Sequence, residues 1–263
     1  MRLRVVGAAI QILLEHADLL AWWTGYLRLR GHNPLEPVAG ISDPASRPAS
    51  RTPESIDRVA KVGPRAWRSP PGVPTIVFLA GPNGAGKTTS APRLLRHEFE
   101  VVEYVNADVI ASGISAFNPE SAALEAGRVL LARTRALASR RVSFSVETTL
   151  SGRAYAPWLK RLISSGYEFS LLFLSLPSEE MAVARVAQRV KLGGHDIPEG
   201  VVRRRFRAGL RHFFELYQPI AGRWCFYDNA GDAPRPLAHG SRLAVQCVLD
   251  ESSWGGILRA WSR

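Results

Sequence analysis

A single stretch, GPNGAGKTT at Gly81–Thr89, limits what this chain can fold into more than any other feature. Its first eight residues fit the pattern G-x-x-x-x-G-K-[ST] of a phosphate-binding loop between a strand and a helix. Glycines let backbone N–H groups turn towards phosphate oxygens, and the N-terminus of the following helix adds positive potential. The pattern assigns Lys87 to the β- and γ-phosphates and the Thr88 hydroxyl to Mg²⁺. We therefore predict ATP and Mg²⁺ as cofactors and Thr88 as a metal ligand.

The surroundings of this loop fit a strand-loop-helix unit. TIVFLA at 75–80 is a continuous apolar run typical of a buried strand, and helical spacing continues to about Arg96. A lysine at position 87 is informative because the chain has only four lysines. The residues predicted to bind the nucleotide are Gly81, Pro82, Asn83, Gly84, Ala85, Gly86, Lys87, Thr88 and Thr89.

Beyond the loop, short apolar runs alternate with longer amphipathic ones. This alternation predicts right-handed βαβ units and a mostly parallel sheet covered on both faces: a three-layer α/β/α P-loop NTPase of the kinase type. Ligands then bind beyond the carboxyl ends of the strands. Strands are predicted at 75–80, 101–105, 142–146, 169–176, 224–227 and 243–249, and helices at 120–139, 154–165, 178–192, 198–218 and 254–261.

The chain upstream of the loop has a different composition. Residues 1–30 are apolar and could form a helix, either a docking helix or, as we favour, a non-essential extension. Residues 31–73 are rich in proline, which cannot sustain a helix or a central strand, so this segment is predicted to be a poorly ordered linker. The P-loop kinase domain is predicted to occupy residues 74–263.

Charge and cysteine content limit partners and location. The net charge of +11 comes almost wholly from arginine, which suits an anionic partner but also fits a merely arginine-rich surface. Cys225 and Cys247 lack metal-ligand spacing and indicate a reducing compartment. No uncharged apolar run reaches the ~18 residues of a membrane span. We expect a cytoplasmic protein.

The strand predicted at 169–176 narrows the class of P-loop protein. It ends without an acidic residue, so the carboxylate that a transporter ATPase would need is missing there. Leu150-Ser151-Gly152 begins like a transporter signature, but Arg153 breaks the pattern. No base-specifying motif of a GTPase is found. These observations disfavour motor ATPases and favour transfer of the phosphoryl group.

A kinase needs a base for the acceptor hydroxyl, and polar residues at two strand ends are candidates. Asp108 follows the second predicted strand and is the candidate catalytic base. Glu147 and Thr149 follow the third and, with Asp108, are candidates for binding the acceptor. The alternatives are that Asp108 only caps a helix and that Glu147 and Thr149 form a structural network at the strand end.

Arginines on two predicted helices form a candidate lid. Arg185 and Arg189 lie four residues apart on one face, Gly193-Gly194 follows as a hinge, and Arg203–Arg205 lies on the next helix. Such a lid would neutralise transition-state charge. Arg189 and Arg204 are the predicted catalytic arginines, and a solvated basic face is the alternative.

Together these motifs resemble the zeta-toxin family, bacterial P-loop kinases related to the toxins of toxin–antitoxin pairs. The similarity covers about residues 74–263 and is closest to the branch often labelled predicted ABC-type ATPase. The matching motifs are GPNGAGKTT (81–89), VNADVIA (105–111), VETTLSG (146–152), RVAQRVKLGGHDIP (185–198), VVRRRF (201–206) and FYDNAG (226–231).

This resemblance implies ATP-dependent phosphorylation of the 3′-hydroxyl of UDP-N-acetylglucosamine. By resemblance, Asp108 is the base, Lys87 and Thr88 serve the nucleotide and Mg²⁺, and Glu147 and Thr149 fall on the sugar-nucleotide motif. Arg189 and one arginine of 203–205 fall on the lid. The implied partners are a nucleotide-sugar acceptor and an antitoxin protein. Pro82-Asn83 and the Gly-Gly-His turn differ from the best-known toxins.

Two other functions stay open. The arginine excess would suit a nucleic-acid end kinase or an RNA-linked ATPase, although the lack of an aromatic stacking platform among the arginines disfavours nucleic acid. Alternatively, the nucleotide would only order a lid that docks a protein, and the chain would act through binding.

Overall fold

A computed structural model of the protein describes residues 72–99, 101–119, 121–194 and 196–262. The predicted N-terminal segment 1–30 and all but the last two residues of the predicted linker 31–73 lie outside the described residues. The boundaries drawn between these segments and the domain stay predictions.

The described chain contains seven strands and seven α-helices. The strands are β1 (Thr75–Ala80), β2 (Glu103–Val105), β3 (Phe144–Thr148), β4 (Glu168–Ser175), β5 (Arg223–Asp228), β6 (Arg235–Ser241) and β7 (Ala244–Val248). The helices are α1 (Lys87–Ala91), α2 (Ala107–Ile114), α3 (Ala123–Ser139), α4 (Tyr155–Ser164), α5 (Glu179–Lys191), α6 (Glu199–His212) and α7 (Glu251–Trp261).

Two of these helices continue in other helical forms. A π-helical segment at Pro92–Glu98 extends α1. A π-helical turn at Phe213–Tyr217 and a 3₁₀ turn at Gln218–Ile220 extend α6, so the predicted helix 198–218 is three successive helical forms. Pro219 lies at the start of the 3₁₀ turn and does not stop the helical path. Among the described residues, no helix has the length and apolar character needed to cross a membrane.

The strands form one sheet in the order β2-β3-β1-β4-β5-β6-β7. The first five are parallel, and β6 and β7 add antiparallel pairs at one edge. The predicted mostly parallel α/β sheet is therefore confirmed. Strand β6 was not predicted, because Pro236 and Gly240 interrupt it and both residues are rare in strand interiors.

Alternate residues of β1 explain the three layers. Ile76 and Phe78 belong to one buried cluster with side chains of α3, α4 and α7, whereas Val77 and Leu79 belong to a second cluster with α1 and α5. All six residues of β1 are buried, as expected for a central parallel strand.

Helix α6 belongs to both layers. Its first turn places Val201 and Val202 in the cluster of α1 and α5, and its last turn places Leu210 in the opposite cluster. The helix therefore crosses from one face of the sheet to the other, and its middle residues lie near the loop that follows β1.

Candidate active site

The loop between β1 and α1 has a backbone that only glycine allows. Gly81, Gly84 and Gly86 have φ angles of 142°, 79° and 72°. A Cβ atom on Gly81 would lie 2.1 Å from the Leu174 carbonyl oxygen, and one on Gly86 would lie 2.7 Å from Asn229 Nδ2. Any larger residue would clash with the packed chain, so the glycine spacing of the motif is a steric requirement of this loop.

Lys87 and Thr88 begin α1. The Lys87 side chain is only 7% exposed, and its ammonium donates to the Pro82 carbonyl at 2.9 Å and lies 4.0 Å from Glu147 Oε1. Burial lowers the pKa of Lys87, while the Glu147 and Asp108 carboxylates act in the opposite direction. Lys87 lies where the carboxyl ends of the parallel strands meet, a region called the mouth of the sheet below. Further negative charge there would stabilise its buried ammonium.

Glu147 lies at the centre of a hydrogen-bond cluster. Thr88 Oγ1 donates to its two carboxylate oxygens at 2.9 and 3.2 Å. The Tyr104 hydroxyl and Asn106 Nδ2 both donate to Oε2, the latter at 2.9 Å. The structure thus places Glu147 beside the loop threonine, whereas the sequence analysis assigned this carboxylate to the acceptor.

The strand order explains this position. Because β3 pairs with β1, with Leu79 opposite Glu147, the carboxylate emerges next to the phosphate loop. The sequence analysis sought an acidic residue at the end of the strand now seen as β4, on the other side of β1. Glu147 was predicted at the end of this third strand but was assigned to the acceptor, so its contact with Thr88 was not predicted.

Asp108 is the second residue of α2, and its side chain is exposed. The helix is capped instead by Asn106, whose Oδ1 accepts from the backbone N–H groups of Asp108 at 2.8 Å and Val109 at 3.4 Å. The alternative that the Asp108 carboxylate caps the helix is therefore wrong. Its charge raises the pKa of Lys87, so the two groups interact electrostatically across the mouth.

Thr149 lies in the loop after β3, and its hydroxyl shares a hydrogen bond of 2.8 Å with Ser151. Leu150 has a φ of 52°, and its carbonyl accepts from His212 Nδ1 at 2.8 Å. The structure therefore clamps this loop under α6. It does not bring the Thr149 hydroxyl into the hydrogen-bond cluster around Glu147.

Of the arginine triplet, Arg205 is the residue that reaches the loop. It is 8% exposed and donates to Asn83 Oδ1 at 3.1 Å. Arg204, the predicted catalytic arginine, is exposed. The inward stripe of α6 runs through Val202, Arg205 and Gly209, at helical spacing, so the neighbouring residue 204 points away. The structure therefore turns Arg205, and not the predicted Arg204, towards the loop, while a catalytic role for either residue stays a prediction.

The other lid arginines divide between the site and its scaffold. Arg189 on α5 is half-buried and, with Arg205, lowers the pKa of Lys87. Arg203 and Arg207 pair with Glu179 and so join α6 to α5. Arg185 donates to the Asn229 and Ala230 carbonyls at 2.7 and 2.6 Å.

Asn229 is a site residue that the sequence analysis did not single out. It follows β5, is buried, and donates from Nδ2 to the Ala85 carbonyl at 2.7 Å, which fixes the phosphate loop from the far side. Its position at the carboxyl end of a parallel strand, the rule that identified Asp108 and Glu147, was the available signal.

A family model described as "AAA domain" matches residues 76–216, just over half of the chain. A protein of Haemophilus influenzae, described as uncharacterized, is 32% identical over 131 residues, which are 49% of this chain and 91% of that protein. The family match includes the phosphate loop, Asp108, Glu147, Arg189 and Arg205, and it ends before Asn229.

Solved structures extend the comparison of the fold. A chain of the AvrRxo1-ORF1:AvrRxo1-ORF2 complex, solved with sulphate ions, superposes with a TM-score of 0.54 and 20% identity. The superposed region is 70% of this chain and 63% of the AvrRxo1 complex chain, so this chain spans less than two thirds of that chain's length. A second structure of that complex was solved with ATP. A chain from the PezAT toxin–antitoxin system of Streptococcus pneumoniae superposes with a TM-score of 0.50 and 16% identity, over 79% of this chain and 92% of that one.

Proposed function

The chain belongs to the AAA domain family and has a kinase-like P-loop fold, and from this premise we propose that it is an ATP-dependent phosphotransferase. It binds ATP through Gly81–Thr89 and transfers the γ-phosphoryl group to a hydroxyl of a small molecule. The finer proposal, supported by the zeta-toxin resemblance, is that the acceptor is the 3′-hydroxyl of UDP-N-acetylglucosamine.

One observation carries the proposal: the polar ends of three neighbouring strands meet at the phosphate loop. Thr88 contacts Glu147 from β3, and the helix after β2 brings Asp108 within electrostatic range of Lys87. Phosphoryl transfer needs charge neutralisation on one side of the γ-phosphate and a proton acceptor on the other. This arrangement supplies both within one mouth.

The loop residues would hold the triphosphate. Backbone N–H groups of the glycine-rich turn face the phosphates, and the Lys87 ammonium exchanges the Pro82 carbonyl for phosphate oxygens. Thr88 and Glu147 fit Mg²⁺, because a hydroxyl and a carboxylate are the oxygen donors that this ion takes together with phosphates. When bound, Mg²⁺ supplies charge neutralisation for the β- and γ-phosphates.

Asp108 would act on the acceptor. Its carboxylate accepts the proton of the acceptor hydroxyl as the new oxygen–phosphorus bond forms and the bond between the γ-phosphorus and the bridging oxygen breaks, releasing ADP. Arg205 and Arg189, whose positive charges lower the pKa of Lys87, would stabilise the negative charge of the transferring phosphoryl group.

The biological setting is also proposed. By resemblance the chain acts in the cytoplasm as the toxin of a toxin–antitoxin pair, with an antitoxin protein as partner. The structural likeness to a chain of the PezAT system supports this at the level of the fold.

The experiment is a mass-spectrometric screen. The full chain is incubated with Mg·ATP and a panel of nucleotide sugars, simple sugars and RNA or DNA ends, and products are measured for an added phosphate. We expect phosphorylated UDP-N-acetylglucosamine with the wild type and almost none with Asp108→Asn. Phosphate on a different small molecule would reject the substrate and keep the class. Phosphate on strand ends, or ATP consumption without any phosphorylated acceptor, would contradict the proposal.

A further inference from the structure

We propose that Tyr104 and Asn106 are positioning residues: they fix the Glu147 carboxylate against Thr88 and tie it to the helix that carries Asp108. This inference rests on the proposed function, because its consequence is a fixed geometry between the Mg²⁺ ligands and the catalytic base. Nothing in the phosphate-loop motif or in the resemblance assigns a role to either residue.

The two oxygens of Glu147 have different surroundings. Oε2 accepts from the Tyr104 hydroxyl, from Asn106 Nδ2 at 2.9 Å and from Thr88 Oγ1 at 2.9 Å. Oε1 faces the loop, 3.2 Å from Thr88 Oγ1 and 4.0 Å from Lys87 Nζ. The donors on Oε2 hold the carboxylate in one rotation, with Oε1 directed towards the side where the phosphates would bind.

Tyr104 is half-buried and links Glu147 to Asn106. Its hydroxyl donates to Glu147 Oε2 and accepts from Asn106 Nδ2 at 3.0 Å. The phenol therefore uses both its donor and an acceptor position within this cluster.

Asn106 joins the two halves of the mouth. Its Nδ2 donates to Glu147 at 2.9 Å and to the Tyr104 hydroxyl at 3.0 Å. Its Oδ1 accepts from the Asp108 backbone N–H at 2.8 Å and so begins α2. An amide is suited to this position because it offers a donor and an acceptor at once, whereas serine or aspartate could cap the helix but would lack the NH₂ group.

The chemical consequence concerns distance. Displacing a reacting group by about 1 Å can lower the rate by about 10²-fold. Because Asn106 is buried and bonded to both elements, movement of β3 relative to α2 would have to break one of its hydrogen bonds. The spacing between the Mg²⁺ ligands and Asp108 is thus set before substrate binds.

Two variants separate this role from simple support of the fold. Tyr104→Phe removes one donor to Glu147 and leaves the helix cap intact. Asn106→Ser keeps a good cap for α2 but loses the amide that reaches Glu147. Tyr167→Phe is the matched control, since within the described part of the chain the Tyr167 hydroxyl donates to backbone carbonyls away from the site, among them those of Ala138 at 3.2 Å and Val142 at 3.1 Å.

The measurement is binding of a fluorescent ATP analogue, without turnover, as Mg²⁺ is titrated. For Tyr104→Phe and Asn106→Ser we expect the half-saturating Mg²⁺ concentration to rise about tenfold, as is typical when the groups that orient a metal ligand are removed. Affinity for the nucleotide without metal should change less than about twofold, because the loop and Lys87 are intact. Tyr167→Phe should match the wild type in both.

The results discriminate clearly. Wild-type Mg²⁺ dependence in both site variants, with thermal unfolding confirming that they are folded, overturns the inference and leaves the proposed function standing. An equal loss of affinity with and without Mg²⁺ also overturns it, since that indicates general damage to the site. If the wild type itself shows no Mg²⁺-dependent nucleotide binding, the proposed function has failed and the inference with it.

Discussion

The two sides of the mouth of the sheet differ in how completely they are built. On the nucleotide side, Lys87, Asn83 and Asn229 are buried and already hydrogen-bonded within the chain. On the acceptor side, α2 and the loop after it expose Asp108 and a group of apolar side chains. These apolar residues are Val109, Ile114 and Phe117, and Phe117 is fully exposed.

This contrast reflects the different requirements of binding ATP and of binding an acceptor. ATP is the same molecule in every kinase, so its cradle can be preorganised by glycines and buried polar contacts, which lowers the entropy lost on binding. Acceptors differ between kinases, and under the proposed function the exposed face of α2 would leave room for the acceptor to complete the site. If the two sides are independent, substitutions on the nucleotide side should change ATP binding and those on the acceptor side should change transfer.

The largest effect is expected from Lys87→Met, on the nucleotide side. Removing the ammonium should abolish measurable Mg·ATP binding and transfer, because no other group replaces its contact with the β- and γ-phosphates. Ligand-free stability should be unchanged or higher, since burial disfavours the charged lysine. Thermal unfolding with and without Mg·ATP checks both points, and a wild-type shift on adding Mg·ATP would contradict the assignment.

The same variant gives a test of pH dependence. The pKa of Lys87 is lowered in the folded state from its ordinary value of 10.5, so the folded protein loses this proton before the unfolded chain does. The free energy of unfolding of the ligand-free wild type, relative to that of Lys87→Met, should therefore rise as the pH increases from the lowered pKa of Lys87 to 10.5. Below this window the difference between the two proteins should not change with pH. Denaturant unfolding of the two proteins across this range is the measurement. A constant difference in the free energy of unfolding between the two proteins across this pH range would show that burial does not lower the pKa of Lys87.

The next largest effect is expected from Asp108→Asn, on the acceptor side. Loss of a general base lowers kcat by about 10²- to 10⁴-fold. ATP affinity and unfolding free energy should stay close to wild type, because the side chain is exposed and does not cap α2. Single-turnover transfer, isothermal titration with Mg·ATP and urea unfolding measure the three quantities. Transfer at the wild-type rate would remove Asp108 from the mechanism.

A smaller effect should separate Arg205 from its neighbour Arg204. Arg205→Met is expected to lower kcat by about 10²-fold, typical for loss of one group that stabilises transition-state charge. Arg204→Met should change kcat less than about twofold, because that side chain is exposed away from the loop. Steady-state kinetics on the two variants make the comparison. Equal losses would mean that α6 rotates or moves on closure.

Asn229→Ala should weaken the support of the phosphate loop without changing the groups that take part in phosphoryl transfer. Losing the buried hydrogen bond to the Ala85 carbonyl leaves that oxygen unsatisfied and lowers the free energy of unfolding by about 1–3 kcal/mol. Asn118→Ala is the control, since Asn118 is exposed and its Oδ1 accepts a long hydrogen bond of 3.4 Å from the Ser121 backbone N–H, and it should change stability by less than about 0.5 kcal/mol. Urea unfolding of both variants gives the values. Equal small losses would show that Asn229 does not brace the loop.

The smallest effect is expected from Phe117→Ser, on the exposed acceptor side. Unfolding free energy should change by less than about 0.5 kcal/mol, and Mg·ATP affinity should not change. Any effect should fall on the KM of the acceptor once the acceptor is known. A loss of ATP affinity instead would show that the two sides are not separate.

The sequence predicted the elements of this fold well, for a physical reason. Buried parallel strands such as β1 are continuous apolar runs, and amphipathic helices repeat with a fixed period, so both are local patterns. The loop was equally predictable because its glycines, lysine and threonine lie within nine residues. β6 was missed because local proline and glycine hid a strand that pairing with β5 stabilises.

The details of the site depended on non-local information. Glu147 was assigned to the acceptor because the sequence does not show which side chain at the strand ends contacts Thr88. Arg204 was chosen over Arg205 because neighbouring residues on a helix point about 100° apart, and only packing decides which one faces inward. Asn229 was passed over because its partner, Ala85, is far away in the chain.

The most direct test of the central claim is a crystal structure with Mg²⁺ and a non-hydrolysable ATP analogue. We predict that the phosphates lie within Gly81–Thr89, that Lys87 Nζ has left the Pro82 carbonyl for the β- and γ-phosphates, and that Asp108 faces the γ-phosphate. A nucleotide bound elsewhere, with Lys87 still on Pro82, or an Asp108 carboxylate turned away from the γ-phosphate, would contradict the account.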